Sequence, residues 1–306
     1  MKIFERMLEN ILNTSGISED EQQGDNTKTR LMKKRNWNRF ARRILLIIMI
    51  LCLIPVGRSY YLSVKHQSQQ EKLADLLALE KKHSEREPDA ESPETPVEIP
   101  EETQPEILEV QEPVMLSRYS ALYEENNDLI GWLSIEGMKI DYPVMQCEDN
   151  EYYLHHSFYG EEDKYGCLFV KDIADVDTPG TNFIIYGHNM KDGSMFGDLD
   201  FYKKEDFYKE HSVISFDTLY EQRTYEVMAV FTSQVYGQHD DVFKYYNFYE
   251  AKTPEEFDAF YESVKELSFY DTGVEAEYGD TFLTLSTCAY HVKDGRLVLV
   301  AKRVTD

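Results

Sequence analysis

The sequence predicts a mainly β protein, in which an eight-stranded, closed or partly closed barrel follows a single membrane anchor. Three observations favour this class. Eight short runs with the β-branched and aromatic composition of strands lie between residues 131 and 303. One helical pattern, which begins at Thr253, interrupts them between the sixth and seventh runs. A strongly apolar run at residues 44–64 precedes all of them.

Residues 1–43 are predicted to be a basic cytoplasmic tail that is mostly unstructured. Residues 28–43 contain eight Lys or Arg residues and no acidic residue. The chain as a whole has the opposite character, because its formal net charge is −25 at pH 7. Since this negative charge repels phosphate backbones, we expect no nucleic-acid partner.

Residues 44–64 are predicted to be a transmembrane signal anchor. This run of 21 residues contains a single charge, on Arg58, and as a helix it measures about 31 Å, enough to cross the hydrocarbon core. The basic flank before it predicts a cytoplasmic N-terminus and a chain that continues outside the cell. A cleaved signal peptide is disfavoured because 43 residues precede the run and no small-x-small site follows it. A buried core helix fits poorly with the polar flanks.

Residues 65–113 are predicted to form a juxtamembrane helix and an acidic, Pro-rich linker. Residues 68–80 have helical composition. The segment 84–113 contains eleven acidic residues, one Arg and six of the ten prolines, so it cannot form a packed core. Fully extended it would reach roughly 90 Å, which predicts a tether that holds a domain away from the membrane.

Residues 114–306 are predicted to be the main folded domain, since they are numerous enough for one hydrophobic core. An amphipathic helix is expected at residues 116–127. The expected strands are 131–135, 140–145, 166–171, 182–186, 213–216, 224–232, 281–286 and 296–303. A second helix should begin with Thr253 as its N-cap and Pro254 in its first turn. Its apolar face would comprise Phe257, Phe260, Tyr261, Val264 and Leu267.

The strongest candidate for chemistry is the thiol of Cys288. Residues 281–290 form a β-rich run that ends near this cysteine, and Arg296 begins the next such run. The Asp-Gly pair within residues 293–295 is a strong hairpin signal. If the turn centres on Val292, Cys288 and Arg296 lie opposite each other, with Cβ atoms roughly 5 Å apart. A fixed cation beside a thiol favours the nucleophilic thiolate.

The best candidate for a proton donor or acceptor beside this thiol is His188. The apolar run 183–186 predicts a buried strand, and Gly187 is expected to let the backbone bend where His188 emerges. A histidine at the end of a strand is well placed to line a cleft. The competing residue, His291, is predicted to face solvent in the hairpin loop.

The remaining cysteines and histidines predict no metal site. We also expect the protein to need no cofactor. Adjacent His155 and His156 have no visible partner cluster, and no Cys-x-x-Cys spacing occurs. Cys147 and Cys167 could form a disulfide, although two separate buried thiols in strands are the preferred interpretation.

Together these runs resemble a known family. The segment 284–288 with Arg296, preceded by the segment 182–188, is similar to the sortases of Gram-positive bacteria, specifically those of class B. The resemblance covers roughly residues 114–304 and implies a sortase-type barrel with extra N-terminal helices. Some class B members have an acidic residue just after the cysteine, whereas residues 289–290 here are Ala-Tyr.

The resemblance implies roles for the three residues above. Cys288 would be the nucleophile, His188 the general acid/base, and Arg296 the group that stabilises the oxyanion or the bound peptide. Neighbouring residues predicted to bind substrate are Ser286, Thr287, Asn189 and Tyr290.

The implied reaction is a transpeptidation at the cell surface. The enzyme would cleave a C-terminal sorting motif of secreted proteins, of a Leu-Pro-x-Thr-Gly or Asn-Pro-x-Thr-x kind, at the threonine. The resulting thioester would be transferred to an amine of a cell-wall precursor (lipid II or a peptidoglycan cross-bridge) or of a pilin lysine.

Two other function classes stay open at this point. A cell-wall cysteine hydrolase is disfavoured because papain-like wall hydrolases place Cys before His in the chain, whereas His188 precedes Cys288. A non-catalytic adhesin on an acidic stalk would leave the arrangement of Cys, His and Arg unexplained.

Overall fold

The computed structural model describes residues 26–84, 113–289 and 292–305. The chain divides into two units, Met1–Tyr61 and Leu62–Asp306. Helix α1 runs from Asn26 to Ser84 and contains Pro55. By length and composition, its stretch Phe40–Glu80 includes a segment apolar enough to cross a membrane.

Helix α1 corrects one prediction and confirms another. Residues 26–43, predicted to be unstructured, are helical, because their many Lys and Arg residues are good helix formers. Residues 1–25 lie outside the described residues. The helix predicted at 68–80 is confirmed as part of α1, whereas most of the acidic linker, residues 85–112, is also outside the described residues.

Short strands, most of whose residues are buried, form the barrel of the second unit. The strands in the described residues are β1 (Leu129–Ser134), β2 (Asp141–Met145), β3 (Leu168–Phe169), β4 (Asn182–Gly187), β5 (Val213–Thr218), β6 (Thr224–Gln234), β7 (Phe282–Cys288) and β8 (Gly295–Arg303). Their order is β1-β2-β3-β4-β7-β8-β6-β5, and pairing of β5 with β1 closes the barrel. All eight predicted strands are confirmed, although β3 is shorter than expected.

Alternation along the strands separates the barrel interior from an outer layer. In β7, Leu283 and Leu285 belong to the interior core, whereas Phe282 packs in a second cluster with residues of helix α5 (Pro254–Leu267). Successive side chains of a strand point to opposite faces, so even-numbered β7 residues face the outer layer. Cys288 therefore lies on the outer face of the barrel.

Helix α5 covers part of the outer face of the barrel, where Phe257 and Phe260 pack on Phe282 of β7. Its N-cap is Thr253, whose side chain accepts a hydrogen bond from the Glu256 backbone N–H at 3.3 Å, as predicted. Phe257 and Phe260 are buried, but Leu267 is 44% exposed. Its assignment to the apolar face was wrong because the helix ends at that residue.

The predicted helix at 116–127 is divided into a 3₁₀ turn, Ser117–Tyr119, and helix α2, Ser120–Glu125. Between β2 and β3 the chain forms a short helix α3, Tyr152–His155. The part of α1 in the second unit packs on this region, with Leu73 fully buried beside Tyr119 and Phe158. A helix α4, Glu205–Glu210, precedes β5.

We expect Phe257→Ala to lower the free energy of unfolding by about 3–5 kcal/mol, because the side chain is fully buried against β7 and leaves a cavity. Leu267→Ala on the same helix is the matched control and should cost less than about 1 kcal/mol, because Leu267 is exposed. Denaturant titration of both variants checks this, and equal losses would contradict the packing of α5.

Candidate active site

Three neighbouring strands bring the predicted residues together. Cys288 and Arg296 are register partners in the antiparallel pair β7–β8, which confirms the predicted hairpin register. On the other side of β7, Gly187 and Thr287 are register partners in the parallel pair β4–β7. Continuing that register by one residue places His188 beside Cys288, since neighbouring strands lie about 4.8 Å apart.

The three side chains share one face of the sheet. Cys288 has the orientation of Ser286, whose Oγ lies 2.8 Å from Tyr245 Oη in the outer layer. Arg296 has the orientation of Val298, which packs in the same outer cluster. Cys288 is only partly buried, so the site lies where the outer layer ends.

The turn of the hairpin is shorter than predicted, because Gly295 was expected in the turn but belongs to strand β8. Asp294, with φ of 55°, adopts the left-handed conformation, which Asp tolerates better than most residues. Gly295 is the first residue of β8, and its N–H donates to the Val292 carbonyl at 3.2 Å. Tyr290, predicted to bind substrate, and His291, predicted to face solvent, lie outside the described residues.

The imidazole of His188 is held by a backbone carbonyl that sequence reasoning missed. His188 Nε2 lies 2.8 Å from the carbonyl oxygen of Leu154 in α3. Because a carbonyl oxygen only accepts hydrogen bonds, Nε2 carries a proton and donates it here. Nδ1 is the ring nitrogen that remains for proton transfer. A carbonyl is common to every residue, so no sequence signal could have identified this partner.

The residues predicted to bind substrate mainly tie the strands together. Asn189 Nδ2 donates to the Cys288 carbonyl at 2.7 Å, and Thr287 Oγ1 donates to the Gly187 carbonyl at 2.8 Å. Ser286 and Thr287 are 1% and 2% exposed. Their burial favours a role in fixing the ends of β4 and β7, and substrate binding by these residues stays a prediction.

The positive charge of Arg296 is held by backbone carbonyls. Its Nη1 donates to the carbonyls of Asp294 (3.2 Å) and Gly295 (3.0 Å), and no carboxylate of the described residues lies within 4.0 Å of the guanidinium. Burial raises the pKa of Tyr245 to about 12, so this nearby hydroxyl stays neutral. The local field therefore favours an anion on the face shared with Cys288.

The other cysteines and histidines that could bind a metal ion do not form a cluster in the described ranges. Within the described ranges, no group of three or more His, Cys, Asp or Glu side chains is arranged to hold a metal ion. Cys147 and Cys167 are both free thiols, and burial raises the pKa of the Cys167 thiol. His155 lies near His188, with ring centroids 6.4 Å apart, whereas His156 stacks on Tyr152.

Gly187 is required by close packing. A Cβ atom at this position would lie 2.5 Å from Leu168 Cδ2 and 2.8 Å from Phe196 Cδ2, and both of these side chains are fully buried. Its φ is not in the left-handed region, so close packing accounts for the glycine, and the bend at this position stays a prediction. The glycine lets the end of β4, and hence His188, approach the barrel core.

We expect Gly187→Ala to displace the end of β4, because neither buried neighbour can move without repacking. The cost in unfolding free energy should be about 1–3 kcal/mol, with a loss of peptide cleavage larger than this destabilisation explains. Thermal unfolding and a cleavage assay at a temperature where the variant is fully folded check this. A stable variant with full activity would contradict the argument.

Comparison with known proteins gives one consistent result. The sortase domain family model matches residues 133–304. Sortase B of Listeria monocytogenes is 37% identical over 191 residues, which cover 60% of this chain and 73% of the relative. The solved Staphylococcus aureus sortase B–substrate complex is 28% identical with a TM-score of 0.56, over 62% of this chain and 86% of that chain. A solved sortase B complexed with triglycine is also 28% identical with a TM-score of 0.56, over 61% and 86% of the two chains. The chain therefore belongs to the sortase family of cysteine transpeptidases, and within it to class B.

Proposed function

We propose that Cys288, His188 and Arg296 carry out a transpeptidation in which a sorting peptide is cleaved and its acyl part is transferred to an amine. The observation that carries this proposal is the order of the strands β4, β7 and β8. They place a partly exposed thiol between an imidazole and a guanidinium that no carboxylate of the described residues neutralises. This arrangement supplies a nucleophile, a proton donor and an oxyanion partner on one face.

In the first step, the Cys288 thiolate attacks the carbonyl carbon of the substrate threonine and forms a carbon–sulfur bond. The carbonyl electron pair moves to oxygen, which becomes an oxyanion. Arg296 donates hydrogen bonds to this oxyanion through nitrogens that the backbone carbonyls do not occupy. Such a donor stabilises the transition state by a few kcal/mol in a shielded site.

In the second step, the carbon–nitrogen bond breaks and His188, as imidazolium, protonates the leaving amine. Nε2 of His188 is engaged by the Leu154 carbonyl, so Nδ1 delivers the proton. Leu154 thereby fixes the orientation of the ring in both protonation states, since Nε2 keeps its proton throughout. The product is a thioester between the peptide and Cys288.

In the third step, the nitrogen of an amine attacks the carbonyl carbon of the thioester and forms the new carbon–nitrogen bond, and His188 accepts a proton from that nitrogen. The carbon–sulfur bond then breaks and releases Cys288 as a thiolate. One solved sortase B is complexed with triglycine and another with a substrate, which supports peptide and amine partners for this chain. The amine would belong to lipid II, to a peptidoglycan cross-bridge or to a pilin lysine. The acyl donor would be a sorting signal at the C-terminus of a secreted surface protein.

The proposed arrangement of the chain places this reaction outside the cell. Residues 44–64 would anchor the protein as a single transmembrane helix, after a basic cytoplasmic tail of 43 residues. Residues 65–113 would connect this anchor to the catalytic domain, residues 114–306. Secreted substrates and lipid-linked precursors would then meet the enzyme at the same membrane surface.

The experiment that tests this function uses the full chain, a library of labelled sorting peptides and triglycine as the amine. We expect mass spectrometry to detect a thioester on Cys288 and, with increasing triglycine, a ligated product that replaces the hydrolysed one. Cleavage without transfer at every amine concentration would instead favour a cell-wall hydrolase. Absence of any cleavage across the library would favour the adhesin.

A further inference from the structure

A buried cluster joins the N-terminal helix α1 to the region around His188. It consists of His66 from α1 and of Asp163 and Tyr165 from the segment between α3 and β3, and we call it the helix latch. His66 Nδ1 lies 2.9 Å from Asp163 Oδ2, and these residues are 4% and 8% exposed. The His66 ring also stacks on Tyr165, with ring centroids 4.2 Å apart and an interplanar angle of 16°.

One series of contacts connects the helix latch with Leu154, whose carbonyl accepts the hydrogen bond from His188. The backbone N–H of Asp163 donates to the His155 carbonyl at 2.7 Å. His155 is the last residue of α3, directly after Leu154, and the Leu154 carbonyl accepts the hydrogen bond from His188 Nε2. The position of Asp163 therefore restrains the carbonyl that orients the imidazole.

A second series of contacts connects the helix latch with the loop that follows His188. Tyr165 Oη donates to Asp192 Oδ2 at 2.9 Å. That loop closes on His188 itself, because the Phe196 N–H donates to the His188 carbonyl at 2.9 Å. The ring of Tyr165, held by the stacked His66, thus restrains the backbone on the other side of the imidazole.

The chemistry of the latch argues against a purely stabilising role. His66 Nε2 is buried and has no hydrogen-bond partner among the residues that the structure describes. Replacing a buried imidazole–carboxylate pair by well-packed apolar side chains is often neutral or stabilising, so docking of the helix alone does not require this pair. Leu73, two turns further along α1, is an example of such apolar docking.

We infer that His66, Asp163 and Tyr165 are positioning residues for His188, so that the docked N-terminal helix fixes the imidazole geometry needed for transfer. This inference rests on the proposed function, in which His188 moves the proton. A shift of about 1 Å in a positioned group can cost on the order of 10²-fold in rate. Loss of the latch should therefore lower kcat and leave peptide binding nearly intact.

The experiment compares His66→Ala, which removes both latch contacts of α1, with Tyr165→Phe, which removes only the hydrogen bond to Asp192. Lys72→Ala is the matched control on the same helix. It removes an ion pair with Glu125 and a cation–π contact with Tyr159, neither of which belongs to the two series of contacts. The full chain carries ¹³Cε1-labelled histidine, and His188→Ala assigns the His188 signal.

We expect the His188 signal to shift in His66→Ala and in Tyr165→Phe, with kcat lowered at least about tenfold and KM changed by less than about twofold. Lys72→Ala should retain the wild-type signal and kcat. An unchanged His188 signal in both latch variants overturns the inference, whatever their activity. Equal losses in all three variants also overturn it, since they would reflect helix docking alone.

The two proposals fail in distinguishable ways. If His188→Ala still forms the thioester at the wild-type rate, the role of His188 in the proposed function is wrong. The NMR signals of the latch variants still report whether the latch orients the ring. If His66→Ala does not fold, Tyr165→Phe alone decides the inference, because it retains the ring and its stacking on His66.

Discussion

Cys288→Ala should abolish thioester formation and reduce transpeptidation by a factor of at least about 10⁴, because it removes the sulfur on which the proposed acyl-enzyme would form. Fold stability should change little, since the side chain is only partly buried at the end of β7. The measurement is cleavage of a labelled sorting peptide, combined with intact-protein mass spectrometry and thermal unfolding.

Cys147→Ala is the matched control for this substitution. Cys147 is also a free, partly exposed thiol, but burial and the nearby carboxylate of Asp128 raise its pKa, which disfavours the thiolate. We expect this variant to keep wild-type activity and to form the thioester on Cys288. A Cys288→Ala protein that still ligates peptide to triglycine would refute the assignment of the nucleophile.

The parts of the site that were predictable from the sequence are encoded locally. Cys288 and Arg296 are only eight residues apart, and the turn signal that pairs them in a hairpin lies between them. The N-cap of α5 is likewise set by Thr253 and its immediate neighbours. Local signals of this kind depend on backbone preferences that each residue type carries with it.

The parts that were not predictable depend on contacts between distant residues. Leu154 lies 34 residues from His188, and His66 lies 97 residues from Asp163. Nothing in the composition near His66 distinguishes it from the exposed polar residues of the same helix. The burial of Ser286 under Tyr245 could not be predicted either, because the covering segment is 41 residues away.

Arg296→Ala should lower kcat/KM by about 10²- to 10³-fold, and Arg296→Lys should recover only a small part of this loss. Two backbone carbonyls already hold Nη1 of Arg296, so the planar guanidinium presents its other donors in a fixed direction. A lysine ammonium keeps the charge but has no such fork, and it cannot satisfy those carbonyls and an oxyanion with the same geometry.

Two measurements separate the charge of Arg296 from its geometry. The rate at which Cys288 reacts with a small alkylating reagent reports the fraction of the thiol that is ionised. A lysine charge near Cys288 should maintain most of that fraction. The rate of peptide acylation reports how well the oxyanion is stabilised, and we expect this stabilisation to need the planar arrangement of guanidinium donors. We therefore expect Arg296→Lys to alkylate within a few-fold of the wild-type rate while acylation stays at least about tenfold slower. Equal recovery of both rates would mean that Arg296 acts on the thiol by charge alone, and the oxyanion would then need a different donor.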